Sequence, residues 1–132
     1  MTAGIALVTF VVREYAEALA FFVETLGFER LEDRPLGGGK RWVRVAPAGS
    51  RGAALLLARA VTPDQLAHVG NQTGGRVFLF FQTADFWGDY HALRARGVRF
   101  IEAPRLEAYG WVVVFEDLYG NRWDLLEAPA AA

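Results

Sequence analysis

Apolar and polar residues follow two different periods along this chain, and the two periods occur in the same order twice. Residues 5–12 read IALVTFVV, an apolar, β-branched run that predicts a strand covered on both faces. From Glu14 to Leu26 apolar residues recur every three or four positions and Gly27 follows, which predicts a helix ended by a left-handed glycine. Three shorter strands are predicted next, over about 28–34, 41–46 and 53–58.

The second half of the chain repeats this order. RVFLFFQT predicts a strand, and the segment from Ala84 to Arg96 predicts a helix ended by Gly97. The remaining strands are predicted over VRFI, GWVVVFE and NRWDLLE. Offsets of 68 to 71 residues align the two copies, and they place Trp42 opposite Trp111 and Leu56 opposite Asp124. We interpret the pattern as one duplicated βαβββ module.

The duplication predicts an α+β fold in which two tandem modules form a curved sheet around a central cleft. We expect one domain over residues 1–132, with module one at about 4–60 and module two at about 76–128. The linker at about 61–75 is polar and glycine-rich, with a short helical turn at 63–68. Residues that face the cleft are where we look for function.

Composition and charge narrow the function classes. The chain of 132 residues has no cysteine, which removes disulfides, thiolate metal sites and a cysteine nucleophile. The formal net charge is −1 and no basic run occurs, so we expect no nucleic-acid partner. No apolar stretch approaches the roughly 20 residues of a membrane helix, and the start lacks a signal-peptide pattern. We therefore expect a cytoplasmic protein with no membrane contact.

Two motifs carry a resemblance to a known family. The first motif has the form V-x-[DE]-x-x-x-A-x-x-F-[FY]-x-x-x-L-G-F, and the second has the form F-x-D-x-x-G-N-x-x-[DE]-L. Their residues are Val12, Glu14, Ala18, Phe21, Phe22, Leu26, Gly27 and Phe28, then Phe115, Asp117, Gly120, Asn121, Asp124 and Leu125. With the tandem repeat, they resemble the vicinal oxygen chelate superfamily, which contains glyoxalase I, extradiol dioxygenases, and bleomycin- and fosfomycin-resistance proteins. Leu118 departs from the proline of many relatives.

The resemblance also implies four metal-ligand positions, two in each module. In this chain they fall on Leu7, Leu56, Phe78 and Asp124. Three of these side chains are hydrocarbon, and a divalent ion needs several nitrogen or oxygen donors. We therefore expect no metal and no cofactor. The chain has two histidines, His68 in the linker and His91 in the second helix, and a divalent metal held by Asp124 with such donors is the alternative.

The same positions and strand alternation predict which residues face the cleft. The predicted ligand-binding residues are Leu7, Thr9, Leu56, Phe78, Phe80, Gln82, Arg122 and Asp124, with Trp42 and Trp111 as walls. The opposite parity, which includes Phe10, Leu57, Trp123 and Leu125, is predicted to pack the helices. Loop 36–40, LGGGK, is a candidate lid.

Each predicted residue also has a structural interpretation. Asp124 either pairs with Arg44 or another arginine, or binds a cation or acts as a base, and it is the best catalytic candidate. Phe78 and Phe80 either fill the core or stack on a planar ligand. The two tryptophans pack the core or a dimer contact if they are not walls of the cleft, and Arg122 faces a carboxylate group or flanks the GN turn.

The sequence thus predicts a metal-independent protein that binds an apolar or aromatic small molecule in the inter-module cleft. The resemblance to metal-free bleomycin-resistance proteins implies function by sequestration. Whether the chain is an enzyme stays open: the alternative is a metal-dependent glyoxalase-like lyase, isomerase or dioxygenase with a non-standard metal site. A third alternative is a structural or regulatory partner domain. A homodimer is expected, because modules of the superfamily often pair between chains.

Overall fold

The computed structural model describes residues 2–129 and has the predicted α+β fold, with two β-sheets. The chain divides into two compact units, the first ending at Val69 and the second beginning at Gly70. The first unit contains β1 (Leu7–Val12), α1 (Tyr15–Leu19), a π-helical segment (Ala20–Thr25), β2 (Phe28–Gly37), β3 (Lys40–Pro47), β4 (Ala54–Arg59) and α2 (Pro63–His68). The second contains β5 (Val77–Thr83), α3 (Phe86–Ala95), β6 (Arg99–Phe100), β7 (Arg105–Glu107), β8 (Gly110–Glu116) and β9 (Arg122–Glu127).

The sheet of the first unit has the order β1-β4-β3-β2, with β1 parallel to β4 and the other pairs antiparallel. The register places Thr9 opposite Leu56, Leu56 opposite Arg44, and Arg44 opposite Glu32. Directly opposed residues share a face, so these four side chains form one row across the sheet.

The turn between β2 and β3 lies in the predicted glycine-rich segment. Gly37 pairs with Lys40, which leaves Gly38 and Gly39 as a two-residue turn with φ of 62° and 80°. Two consecutive positive φ angles are what a tight hairpin turn of this length requires, and glycine adopts them without strain. The hairpin therefore ends in a tip with almost no side-chain bulk.

The predicted helix from Glu14 to Leu26 is helical from Tyr15 to Thr25 but changes type within that range. After α1 it continues as the π-helical segment, in which the Leu26 N–H donates to the Phe21 carbonyl at 2.9 Å, five residues back. Gly27 follows with φ of 78°, as predicted. The π-helical segment places Phe22 against Phe10 of the sheet, at a ring-centroid distance of 5.2 Å, and both are fully buried.

The second unit differs from the prediction in one strand. The expected strand over 98–101 is limited to β6, and an additional strand, β7, also pairs with β8. The interruption includes Pro104, which has no N–H to donate. Across it, the Glu102 side chain accepts from the Val114 N–H at 3.0 Å, so a carboxylate takes the place of a strand carbonyl.

Burial agrees with the predicted helix-packed face of the strands at four positions, whereas Ala54 and Asp124 of the predicted cleft face are buried as well. Phe10 and Leu57 in the first sheet, and Trp123 and Leu125 in the second, are at most 2% exposed. We call the opposite side of each sheet, which carries Thr9 in the first unit and Phe80 in the second, its far face. Thr9 and Phe80 are both exposed. The far faces are therefore where a ligand can reach the strands.

None of the helices within residues 2–129 is long and apolar enough to cross a membrane.

Candidate functional site

A pocket of about 450 Å³ lies on the far face of the first sheet. Its floor contains Thr9 and Val11 of β1, Leu56 and Ala58 of β4, and Trp42 of β3. Its remaining lining residues are Tyr15, Leu36, Gly38, Lys40, Arg41, Leu57, Arg59, Val61 and Gln65. Three predicted ligand-binding residues, Thr9, Trp42 and Leu56, are therefore brought together here, while Leu7 is half-buried opposite Ala54 and does not line the pocket.

Trp42 is held in place by the row of charged residues beside it. Its indole N–H donates to Glu32 at 3.2 Å, and the same carboxylate oxygen accepts from Arg44 at 2.6 Å. The guanidinium of Arg34 lies 5.9 Å from the indole ring centroid. Hydrogen bonding from Arg44 holds the pKa of Glu32 below its usual range. The indole is thus fixed at its polar edge, which leaves its ring as a wall of the pocket.

Tyr15 forms a second aromatic wall of the pocket, and the guanidinium groups of two arginines lie near its ring. Its hydroxyl accepts from the Arg41 backbone N–H at 3.1 Å, which joins α1 to β3. The guanidinium groups of Arg41 and Arg59 lie 4.9 Å and 5.8 Å from its ring centroid, within the range of cation–π contact. Arg41 also makes a two-bond ion pair with Asp33, at 3.0 and 2.5 Å. Two cationic side chains are thereby ordered next to an aromatic ring.

In the second unit, Asp124 lies in a row between Phe80 of β5 and Val114 of β8. Phe80 is 65% exposed, so the core-filling interpretation of this residue is wrong. Asp124 is only 8% exposed, and its Oδ1 has no hydrogen-bond partner within residues 2–129. Burial raises the pKa of Asp124, the charge of Arg105 opposes part of this effect, and the charge of Glu102 adds to it.

The sequence predicts Arg44 or another arginine as the structural partner of Asp124. Arg44 is bonded to Glu32 in its own sheet, at 2.6 Å. The cation that acts on Asp124 is Arg105, and it does so by charge rather than by a hydrogen bond. Asp124 is therefore a buried carboxylate, and one of its oxygens can still accept a hydrogen bond.

Two other predicted residues of the second unit lie on β5 and β9, each two positions from a member of the Phe80–Asp124 row. Gln82 is exposed opposite Leu126, and Arg122 is exposed at the first position of β9, next to the GN turn. A register shift between Val77 and Leu79 makes Phe78 the extra residue of a bulge. Strand alternation therefore does not fix the face of Phe78, because a bulge breaks the period of two.

The matched tryptophans of the repeat are one residue out of register. With Leu56 aligned to Asp124, Arg44 corresponds to Val114, so Trp42 corresponds to Val112 rather than to Trp111. Trp111 packs on α3 instead, with ring centroids 5.0 Å from Trp87. The match between Trp42 and Trp111 in the repeat therefore joins residues on opposite strand faces. Only the register of strand pairing shows this difference.

The second family motif holds the turn between β8 and β9. Asp117 accepts from the N–H groups of Tyr119 and Asn121, from the Asn121 side-chain amide and from the Trp123 indole, at 2.9 to 3.1 Å. Burial raises the pKa of Asp117, and these four hydrogen bonds oppose the rise. Asn121 in turn accepts from the Gln72 N–H at 3.2 Å. These motif residues therefore stabilise a turn.

The donor set does not fit the divalent metal that the family resemblance implies. Within residues 2–129 no three His, Asp or Glu side chains form a group that could hold a metal ion. His68 hydrogen-bonds the Asp64 carbonyl of its own helix at 2.7 Å, and His91 packs beside Trp87 and Tyr90 on α3. Asp124 alone supplies one carboxylate, which is too few donors for such an ion. That the chain needs no metal remains a prediction.

Several lining residues of the pocket were not predicted as site residues. Tyr15 lies in the predicted helix from Glu14 to Leu26, and Lys40 ends the loop 36–40 that is the candidate lid. Arg59 and Val61, at the end of β4, received no role. A signal was present, because Arg59 is the first charged residue after the apolar run AALLLA, and strand ends are where polar groups reach a site.

Comparison with known proteins assigns the family. The sequence model of the Glyoxalase/Bleomycin resistance protein/Dioxygenase superfamily matches residues 4–125. An uncharacterised protein of Shewanella frigidimarina (strain NCIMB 400) is 50% identical over 128 residues, which cover 96% of this chain and 95% of the relative.

Solved structures agree with this assignment. UcmS2 is 26% identical, with a TM-score of 0.83, over 97% of this chain and 100% of its own. TnmS3, an antibiotic binding protein from Streptomyces sp. CB03234, is 30% identical, with a TM-score of 0.76, over 98% of both chains. The chain belongs to the Glyoxalase/Bleomycin resistance protein/Dioxygenase superfamily.

Proposed function

We propose that this chain is a metal-independent protein that binds an apolar or aromatic small molecule in the pocket on the far face of the first sheet. The observation that carries the proposal is the pocket itself. Its volume of about 450 Å³ is that of a small-molecule site, and aromatic and aliphatic side chains form most of its lining. Thr9 and Gln65 supply neutral hydrogen-bonding groups that orient a ligand.

The similarity to TnmS3 supports the same proposal, because its 30% identity extends over 98% of both chains and that protein is an antibiotic binding protein. An antibiotic or a similar natural product is therefore the first class of ligand to test. Sequestration by binding requires no metal and no catalytic group, which agrees with the donor set around Asp124. Contribution of Phe80 and Asp124 to the same binding cleft, and formation of a homodimer, stay predictions of the sequence.

The test is titration of the protein with N-phenylnaphthylamine, a neutral apolar probe that fluoresces when it leaves water. We expect saturable binding to the wild type, and a loss of about tenfold or more in affinity for Trp42→Ala, because burial of an aromatic side chain against a ligand contributes about 1.5 to 3 kcal/mol. Trp42→Phe should retain most of the affinity, since it keeps an aromatic wall.

Leu66→Ala is the matched control. Leu66 is half exposed on α2 of the same unit and does not line the pocket, so removal of this large apolar side chain should leave probe affinity unchanged. Far-ultraviolet circular dichroism shows whether each variant folds. Equal affinity of the wild type and a folded Trp42→Ala variant would refute the proposed site.

A further inference from the structure

The pocket has a cationic mouth. Lys40, Arg41 and Arg59 line it, and no aspartate or glutamate within residues 2–129 does. All three cations lie at the same end, where the tip of the β2–β3 hairpin meets the end of β4. An apolar pocket with charge of one sign at its mouth favours ligands with a group of the opposite charge.

The three cations differ in how far acidic neighbours neutralise them. Arg41 donates two hydrogen bonds to Asp33, from its Nε and Nη2. Within residues 2–129 the ion pair of Arg59 is a long one, with Glu14 at 3.9 Å, and that carboxylate is 58% exposed. Lys40 makes no ion pair with any residue in the described range 2–129. Arg59 and Lys40 therefore keep charge that a ligand can use.

The acidic residue nearest to the aromatic wall is also neutralised. Glu32, which accepts from the Trp42 indole, is bonded to Arg44 at 2.6 Å and to Arg34 at 3.2 Å. Glu14 lies beside the lining cation Arg59, and within residues 2–129 it has no ion pair shorter than 3.9 Å. It is therefore the carboxylate whose charge an anion in the pocket would meet.

Arg59 is held in position at this mouth before any ligand binds. Its guanidinium lies 5.8 Å from the Tyr15 ring centroid on one side. On another side it lies against the hairpin tip, where a Cβ on Gly39 would be 3.3 Å from its Nη2. The absence of side chains at the tip thus leaves room for the guanidinium, and an ordered arginine loses less entropy when it binds a carboxylate or sulfonate.

We propose that the ligand is an amphipathic anion, with an aromatic or apolar body on Trp42 and Leu56 and an acidic group at Arg59 and Lys40. This inference rests on the proposed function, because it adds a charge to the ligand of the same pocket. The acidic group is recognised by charge-assisted hydrogen bonds from Arg59, which are stronger than neutral ones.

Two fluorescent probes separate the inference from the proposed function. Anilinonaphthalene sulfonate and N-phenylnaphthylamine share their ring system, and only the first carries an anionic group. We expect the sulfonate to bind about tenfold or more tightly, since a hydrogen bond to a charged group contributes about 1.5 to 3 kcal/mol. Its affinity should also fall as salt rises, whereas that of the neutral probe should not.

The charge variants complete the test. In Arg59→Gln and in Lys40→Gln the affinity for the sulfonate should fall by a larger factor than the affinity for the neutral probe, and in the double variant the preference for the sulfonate should vanish. Arg51→Gln removes an exposed arginine of the same unit that does not line the pocket, so it should leave the preference intact.

Equal affinities of the two probes, both lost in Trp42→Ala, would overturn the anion inference and leave the proposed function standing. Binding of neither probe would overturn both. Lys40 lies at an exposed hairpin tip, so Lys40→Gln remains informative even if the Arg59 variant does not fold.

Discussion

Substitution of Asp124 by asparagine is expected to raise the free energy of unfolding near pH 7. The carboxylate is 8% exposed, and its Oδ1 has no hydrogen-bond partner within residues 2–129. Removing one such buried group from water without a partner costs about 1 to 3 kcal/mol, and more when it is charged. Asparagine has the same shape but no charge, and its amide stays buried, so we expect a gain of about 1 kcal/mol.

The pH dependence of this gain follows from the raised pKa. Burial raises the pKa of Asp124 in the folded state above its unfolded value, so the folded chain binds more protons between those two values. The contribution of Asp124 to the stability of the wild type should therefore fall as pH rises from about 4 through its folded pKa, and stay constant above it. The asparagine side chain of the variant does not titrate, so the advantage of Asp124→Asn should be small below about pH 4 and reach its full size near pH 7.

The assay is urea unfolding of both proteins, followed by circular dichroism, at a series of pH values with equal slopes required for comparison. Glu24→Gln is the control, because Glu24 is exposed and the same charge is removed; it should change the unfolding free energy by less than about 0.5 kcal/mol. A loss of about 1 kcal/mol or more for Asp124→Asn near pH 7 would refute the reasoning, since it would mean that the ionised carboxylate is stabilised.

Two further changes test the turn network of the second unit. Asp117→Ala removes four hydrogen bonds, including those to Asn121 and Trp123, and should cost about 3 kcal/mol in urea unfolding; a cost below about 1 kcal/mol would contradict the network's role. Gly70→Ala should destabilise by at least about 1 kcal/mol more than Gly74→Ala. Both have positive φ, but only at Gly70 would the new Cβ lie 2.1 Å from a backbone carbonyl of the β8–β9 turn, and equal thermal midpoints would refute the clash.

Much of the fold could be predicted because it depends on periodicity and on glycine. Gly27 and Gly97 end their helices with φ of 78° and 88°, and Phe10 and Leu57 are fully buried on the face that strand alternation assigns to the helices. These features are local, or follow from a period of two or 3.6 residues.

The structure deviates from the predicted elements where one residue is added to a helical turn or to a strand. Hydrophobic periodicity does not reveal such insertions. The π-helical segment adds one residue to a helical turn, and the bulge at Phe78 adds one to a strand. The alignment of Trp42 with Trp111 is also wrong by one residue, and only the register of the strand pairs shows this. At the interruption between β6 and β7 the side chain of Glu102 serves as the acceptor, which its sequence position does not reveal.

The floor of the candidate site was predictable from the sequence, whereas at its mouth only the loop 36–40 was a candidate. Thr9 and Leu56 follow from strand parity, and both line the pocket. Lys40 and Arg59 are 19 positions apart in the sequence and meet the same pocket because a hairpin tip and a strand end converge there. Hydrophobic periodicity does not predict which loops and strand ends meet in the folded chain.

The central claim is that the pocket binds an apolar small molecule without a metal, and one titration tests it most directly. Protein dialysed against a chelator is titrated with N-phenylnaphthylamine, before and after addition of zinc, iron, nickel or manganese. We predict saturable binding at one probe per chain, unchanged by any metal and weakened in Trp42→Ala. Binding that appears only with an added divalent ion, and is lost in Asp124→Ala, would contradict the account and indicate the metal-dependent chemistry of the superfamily.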